Sequence, residues 1–86
     1  MKILYFSWLR TRVGRAEEEV SPPSHIRDIA GLIEWLRLRG PGYAAALENM
    51  TVVRVALNQE HVDLSAPINP GDEVAFFPPV TGGGAL

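Results

Sequence analysis

Hydrophobic and polar positions alternate along the start of the chain. Residues 2–8 (KILYFSW) are rich in β-branched and aromatic side chains and read as a strand. Residues 11–14 turn the chain, and 15–20 read as a second, more polar strand. Its run Glu17-Glu18-Glu19 suits a solvated sheet edge, where charge discourages pairing with another molecule. After Pro22-Pro23, the apolar residues Ile26, Ile29, Leu32, Ile33 and Leu36 recur at three- and four-residue steps, which predicts a helix over 26–39. Ser24 or His25 is placed to cap it, Asp28 falls in its first turn, and Gly40-Pro41-Gly42 stops it. Gly31 costs the helix about 1 kcal/mol relative to alanine, which points to a close approach to the sheet. Residues 43–47 read as one more short helical turn. Strands follow at 51–57, 61–64 and 73–79, separated by turns at 58–60 and 69–72. Pro78-Pro79 must end the last strand, because proline cannot donate to a sheet ladder. The order is β-β-α-β-β-β: an α+β fold with a sheet of four to five strands and one main helix on one face.

One helix covers one face, and alternation says which side chains it meets. Charged residues mark the other side. Lys2 carries Leu4 and Phe6 outward with it, Arg54 carries Val52 and Ala56, and Glu73 carries Ala75 and Phe77. Ile3, Tyr5, Val53, Val55, Leu57, Val74 and Phe76 are left to face the helix. An exposed Phe forfeits about 1.5–3 kcal/mol of burial, so Leu4, Phe6, Val52 and Phe77 form either a partner surface or a face that loops such as 62–70 cover.

Composition narrows the chemistry. At 86 residues, with 47% hydrophobic and 21% charged residues, the chain has the balance of one folded domain. It contains no cysteine, which removes disulfides, thiolate nucleophiles and thiolate metal sites from this sequence. His25 and His61 lack the spacing of a helical metal pair and read as surface or capping residues. Eight basic and ten acidic residues give a net charge of -2. Arg10, Arg12 and Arg15, then Arg37 and Arg39, cluster too sparsely for counterion-release binding, so no nucleic-acid partner is expected. No apolar run approaches the ~20 residues that span a bilayer. A cytoplasmic protein without a membrane partner is the expectation.

The end of the chain is unusual. The last strand runs through Pro78, Pro79, Val80 and Thr81 almost directly into Gly82, Gly83 and Gly84, with Ala85 and Leu86 behind them. Composition alone reads this as a loose terminus. A glycine arm held by a rigid body also fits a narrow pocket, since no side chain obstructs it. From Pro79 to Gly83 it reaches about 13 Å at ~3.3 Å per residue. Ordering it costs on the order of 1–2 kcal/mol per residue, so a docking surface on the body is needed as well. The expected division is a domain over 1–81 and a glycine-rich tail over 82–86.

The stretch NPGDEVAFFPPVTGG (Asn69–Gly83), with VALNQEHV (Val55–Val62) and the opening MKILYFSWLR, resembles the family of small, sulfur-carrier subunits of molybdopterin synthase. The likeness runs from Met1 to Gly83, and its most specific part is DEVAFFPPVTGG. It implies the ubiquitin-like β-grasp fold and a role as sulfur donor that is not catalytic alone. A partner enzyme would use ATP to adenylate the carboxylate of Gly83 and install sulfur as a glycyl thiocarboxylate. The tail would then enter the large subunit of the synthase, and its sulfur would pass to a cyclic pyranopterin monophosphate to form the molybdopterin dithiolene. The resemblance also implies that Phe6, Phe77, Pro78, Pro79 and Val80 meet the large subunit, with Thr81 and Gly82 in the tail. This chain is expected to bind no cofactor of its own, ATP being used by the activating partner. Members of the family end at the second glycine, so Gly84, Ala85 and Leu86 are either removed by proteolysis before Gly83 is activated or a variation on the family pattern. A pairing shifted by one would make Gly83-Gly84 the active end, and the Val-Thr-Gly-Gly match favours Gly82-Gly83. A carrier for thiamine synthesis or tRNA thiolation, and a β-grasp interaction module without covalent cargo, are the competing readings.

Overall fold

Alternation in the first strand is obeyed strictly: β1 (Lys2–Tyr5) buries Ile3 and Tyr5 and leaves Lys2 and Leu4 partly open. The computed structural model of the chain describes residues 1–79. The expected tail residues Val80, Thr81, Gly82, Gly83, Gly84, Ala85 and Leu86 lie outside the described residues. After β1 come α1 (Trp8–Val13), β2 (Glu17–Glu19), α2 (Ile29–Arg37), α3 (Pro41–Ala46), a 3-10 turn at Met50–Val52, β3 (Arg54–Leu57), β4 (Glu60–Val62) and β5 (Glu73–Phe77). The five strands form one sheet in the order β2-β1-β5-β3-β4. β1 and β5 are parallel at its centre, and every other pair is antiparallel. Ile29, Leu32, Ile33 and Leu36 of α2 pack with Ile3, Tyr5, Val55, Val74 and Phe76 in the core. This mixed five-stranded sheet with helices is the α+β, β-grasp arrangement that the resemblance implied.

Several local expectations change. The first strand stops at Tyr5, because Ser7 takes a positive φ of 59° and the chain enters α1 where strand and turn were expected. Leu9 buries itself, and Gly14, at φ 95°, closes the helix in the left-handed conformation with its N–H donating to the Arg10 carbonyl at 2.8 Å. The short helical turn expected at 43–47 is α3, which begins two residues earlier, with Pro41 at its start instead of in a helix stop. α1 and α3 pack so closely that a Cβ on Gly42 would collide with the Arg12 carbonyl oxygen. The main helix is shorter than 26–39. Its cap is Asp28 and not Ser24 or His25, the Asp28 carboxylate accepting from the Gly31 N–H at 2.7 Å. Gly31 accordingly lies against Asp28 and Ile26, not against the sheet. Val52 sits in the 3-10 turn, outside β3. Asn58 and Gln59 both take positive φ, the two-residue hairpin turn that joins β3 to β4.

The acidic run is not uniformly solvated. Glu18 pairs with Ile3 across the β1–β2 ladder, so it shares the helix-side face, and it is buried. The Tyr5 and Tyr43 hydroxyls each donate to its Oε2 at 2.8 Å, while Arg15 and Arg39 reach its Oε1 at 3.2 and 3.4 Å. Burial and the Glu18 contact push the Tyr5 hydroxyl well above its ordinary pKa, so it stays a donor at neutral pH. Arg39 also lies over the rings of Trp35 and Tyr43, at 5.1 and 5.5 Å. One carboxylate thus joins β1, β2 and the α2–α3 region. Glu18→Ala strands the Tyr5 hydroxyl and should cost about 2–4 kcal/mol in urea unfolding. Lys2→Ala, which removes an exposed pair with Glu17, should cost less than about 1 kcal/mol; similar losses for both would show that Glu18 bears no special weight.

Candidate functional site

The face of the sheet away from the helices is built by cross-strand register. Glu17, Leu4, Ala75, Ala56 and His61 stand side by side across all five strands. The two alanines at its centre are buried despite facing outward, since methyl groups between larger neighbours offer water little area. Polar Lys2, Glu19 and Glu73 occupy the same face at the start of β1. The apolar part lies toward its end.

Parallel pairing decides what meets at that end. Tyr5 is in register with Phe76, and the Phe6 N–H donates to the Phe76 carbonyl at 3.1 Å. β1 and β5 therefore finish together, which brings Phe6 and Phe77, 71 positions apart in the chain, to one edge of the face. Phe6 is 49% exposed and Phe77 is half-buried. Pro78 and Pro79, also half-buried, carry the chain out beyond them. Of the expected partner-facing residues, Phe6, Phe77, Pro78 and Pro79 are thus brought together, and Val80 lies outside the described residues.

Two neighbours were not singled out from the sequence. The His61 ring packs against Phe77, with centroids 5.3 Å apart and planes tilted by 59°. Arg54, exposed, pairs with Phe77 across the β3–β5 ladder. The available signal for both was strand alternation, which puts an exposed imidazole and an exposed guanidinium on the Phe77 side once the register is known. Val52, also expected on this face, instead borders a groove of about 260 Å³ with Trp8, Arg12, Ala45 and Ala46, where Arg12 lies 4.8 Å from the Trp8 ring centre.

The face is not covered by residues 62–70. That segment runs along the helical side: the Ala30 N–H donates to the Leu64 carbonyl, Ile29 to Ala66, and Ile68 to Arg27. The larger cleft, about 610 Å³, lies at the opposite end of the sheet among Met1, Val20, Pro22, Ile26, Pro67 and Pro70, away from where the chain exits. Among the described residues no cluster of three or more His, Asp or Glu side chains is arranged to hold a metal. The described residues of the site therefore offer a surface and an exit. Because Phe6 is already half in water, Phe6→Asp should shift urea stability by less than about 1 kcal/mol, whereas Phe76→Asp, burying a carboxylate in the core, should abolish cooperative folding. Circular dichroism distinguishes the two, and an unfolded Phe6→Asp chain would place Phe6 among the structural residues.

Comparison with known proteins identifies the family and the fold. The model of the ThiS family matches residues 3–83. The molybdopterin synthase sulfur carrier subunit of Escherichia coli is 37% identical over 83 residues, covering 96% of this chain and 99% of that one. The crystal structure of small archaeal modifier protein 1 from Haloferax volcanii superimposes with a TM-score of 0.73 at 25% identity, covering 95% of this chain and 97% of that one. A chain in the complex of subunits 1 and 2 of the molybdopterin-converting factor from Helicobacter pylori shares the fold, with a TM-score of 0.64 at 23% identity, covering 94% and 95%. With a family match over nearly its whole length and a relative well above 30% identity, the chain belongs to the ThiS family.

Proposed function

We propose that this chain is the sulfur-carrier subunit of a molybdopterin synthase and works in the cytoplasm with a large catalytic subunit. The observation that carries this reading is the 37% identity with a molybdopterin synthase sulfur carrier subunit over 96% of the chain. The family match ending at residue 83 supports Gly83 as the activated glycine, and the complex of subunits 1 and 2 supports a two-subunit assembly. In this reading residues 1–81 are the body and 82–86 the tail, from which Gly84, Ala85 and Leu86 are removed.

Each step follows from the chemistry of a carboxylate. Free, it is a poor electrophile. Attack by a Gly83 carboxylate oxygen on the α-phosphorus of ATP, in the activating partner, releases pyrophosphate and gives an acyl adenylate with AMP as a good leaving group. A sulfur donor displaces AMP, and the resulting thiocarboxylate is a strong nucleophile toward the cyclic pyranopterin monophosphate. This chain supplies the arm and the docking face: Phe6 and Phe77 bury against the large subunit, Pro78 and Pro79 restrict the exit, and Val80, Thr81 and Gly82 thread the channel. Burying the exposed parts of the two rings supplies roughly 1.5–3 kcal/mol at most, which offsets part of the cost of ordering the glycines.

The test uses the chain ending at Gly83, the 86-residue chain and a chain ending at Thr81, each with the ATP-dependent activating enzyme, a sulfur source and the large subunit. Dithiolene should form only with the chain ending at Gly83 unless a protease trims the longer one, and the acyl adenylate should appear by mass spectrometry on the same chain. Equal product from the chain ending at Thr81 would eliminate the carrier role. Sulfur delivery to a thiazole synthase or a tRNA-thiolation enzyme, without dithiolene, would assign the carrier to another route.

A further inference from the structure

Lys2 is the sole lysine among the eight basic residues of this sequence, the other seven being arginine. In a chain whose end becomes an activated acyl group, that composition has a chemical meaning. A lysine amine near the activated glycine competes with the intended sulfur nucleophile. Its nitrogen lone pair attacks the acyl carbon, a C–N bond forms, and the bond to AMP or to sulfur breaks with its electrons on the leaving group. The ammonium proton goes to solvent. The product is an amide, and the carrier is dead. Arginine carries the same charge without this hazard, because its guanidinium is not deprotonated in proteins and its nitrogens are poor nucleophiles.

The placement of the two kinds of residue follows the same logic. Lys2 is in register with Glu73, at the start of β5, whereas the chain leaves the sheet at Pro79. Six residues of extended chain separate those levels by ~20 Å, whereas Val80–Gly83 spans ~13 Å when fully stretched, so only a tail folded straight back over the face and met by a fully extended lysine side chain closes the gap. The Lys2 ammonium is also held by Glu17 at 3.7 Å. The Met1 amine lies at the same far end, donating to the Val20 carbonyl at 3.1 Å and pairing with Glu19 at 3.7 Å. At the exit stands Arg54, its Cα opposite that of Phe77, about 5 Å away by ordinary strand pairing and well inside the tail's reach.

We propose that the primary amines of this chain are segregated from its exit, with arginine at Arg54 in place of lysine, so that the activated glycine is steered to an external acceptor and not to the carrier itself. This inference rests on the carrier reading above, but its test is independent of any partner enzyme. The chain ending at Gly83, which keeps every described residue, is prepared as a C-terminal thioester by thiol cleavage of an intein fusion. It is incubated at about pH 8 and dilute concentration, alongside Arg54→Lys. The variant should lose the thiol and form an intramolecular amide between the introduced side-chain amine and Gly83 at least ten-fold faster than the parent chain forms any amide. Peptide mass spectrometry maps the link, and the parent should hydrolyse instead. Circular dichroism checks that both are folded. Acylation of Lys2 or Met1 in the parent at the variant's rate would overturn the proposal, and so would an unreactive Arg54→Lys thioester. If instead the carrier reading is wrong, dithiolene assembly fails in the enzyme assay while this difference between the two thioesters persists.

Discussion

Parallel pairing of the first and last strands is the constraint on which the rest depends. In an antiparallel arrangement Phe6 and Phe77 would lie at opposite ends of the sheet. Side by side and in the same direction, β1 and β5 finish together, and the chain leaves the body next to an apolar edge formed by both. Parallel neighbours require a long crossover, and everything between them, α1 through β4, is that crossover. The helices bury one face of the sheet, the hairpin β3–β4 extends it on the far side, and residues 64–68 leave the outer face uncovered because they bond to the helical layer.

A domain of this size has little core to spare, and it compensates with polar structure. Glu18 brings two tyrosines and two arginines onto one carboxylate at the edge where the short strand β2 has few contacts of its own. The Asp28 cap and the left-handed Gly14 close helix ends with local bonds. Such features rigidify the body, and in the proposed role a rigid docking surface carries no ordering cost of its own.

In the proposed carrier role this chain presents a surface and an end, and activation and transfer belong to its partners. That division makes the chemistry of the carrier's own side chains a matter of what must be kept away as much as what must be supplied. The single lysine, remote from the exit, and the arginine beside Phe77 are two sides of that requirement.

Much of this was legible in the residues alone. Period-two alternation marked by Lys2, Arg54 and Glu73 assigned the inner faces of three strands correctly, because a charge on one side of a strand obliges its neighbours to the other. The helical stripe from Ile29 to Leu36 was plain for the same reason at period 3.6, and the stretch DEVAFFPPVTGG was the most specific part of the family resemblance. What one chain's pattern does not carry is register and long-range partners. Glu18 looked solvated, since only pairing with Ile3 turns it inward, toward hydroxyls that come from Tyr5 and Tyr43. α1 was hidden because its six residues bury only Leu9, too short a stripe to show a period, and it is held by packing against Gly42. Likewise His61 and Arg54 became neighbours of Phe77 only through the β4–β3–β5 ladder. Local periodicity follows from backbone geometry and is written in sequence; the meeting of distant residues depends on which strands pair, and that is decided by the fold as a whole.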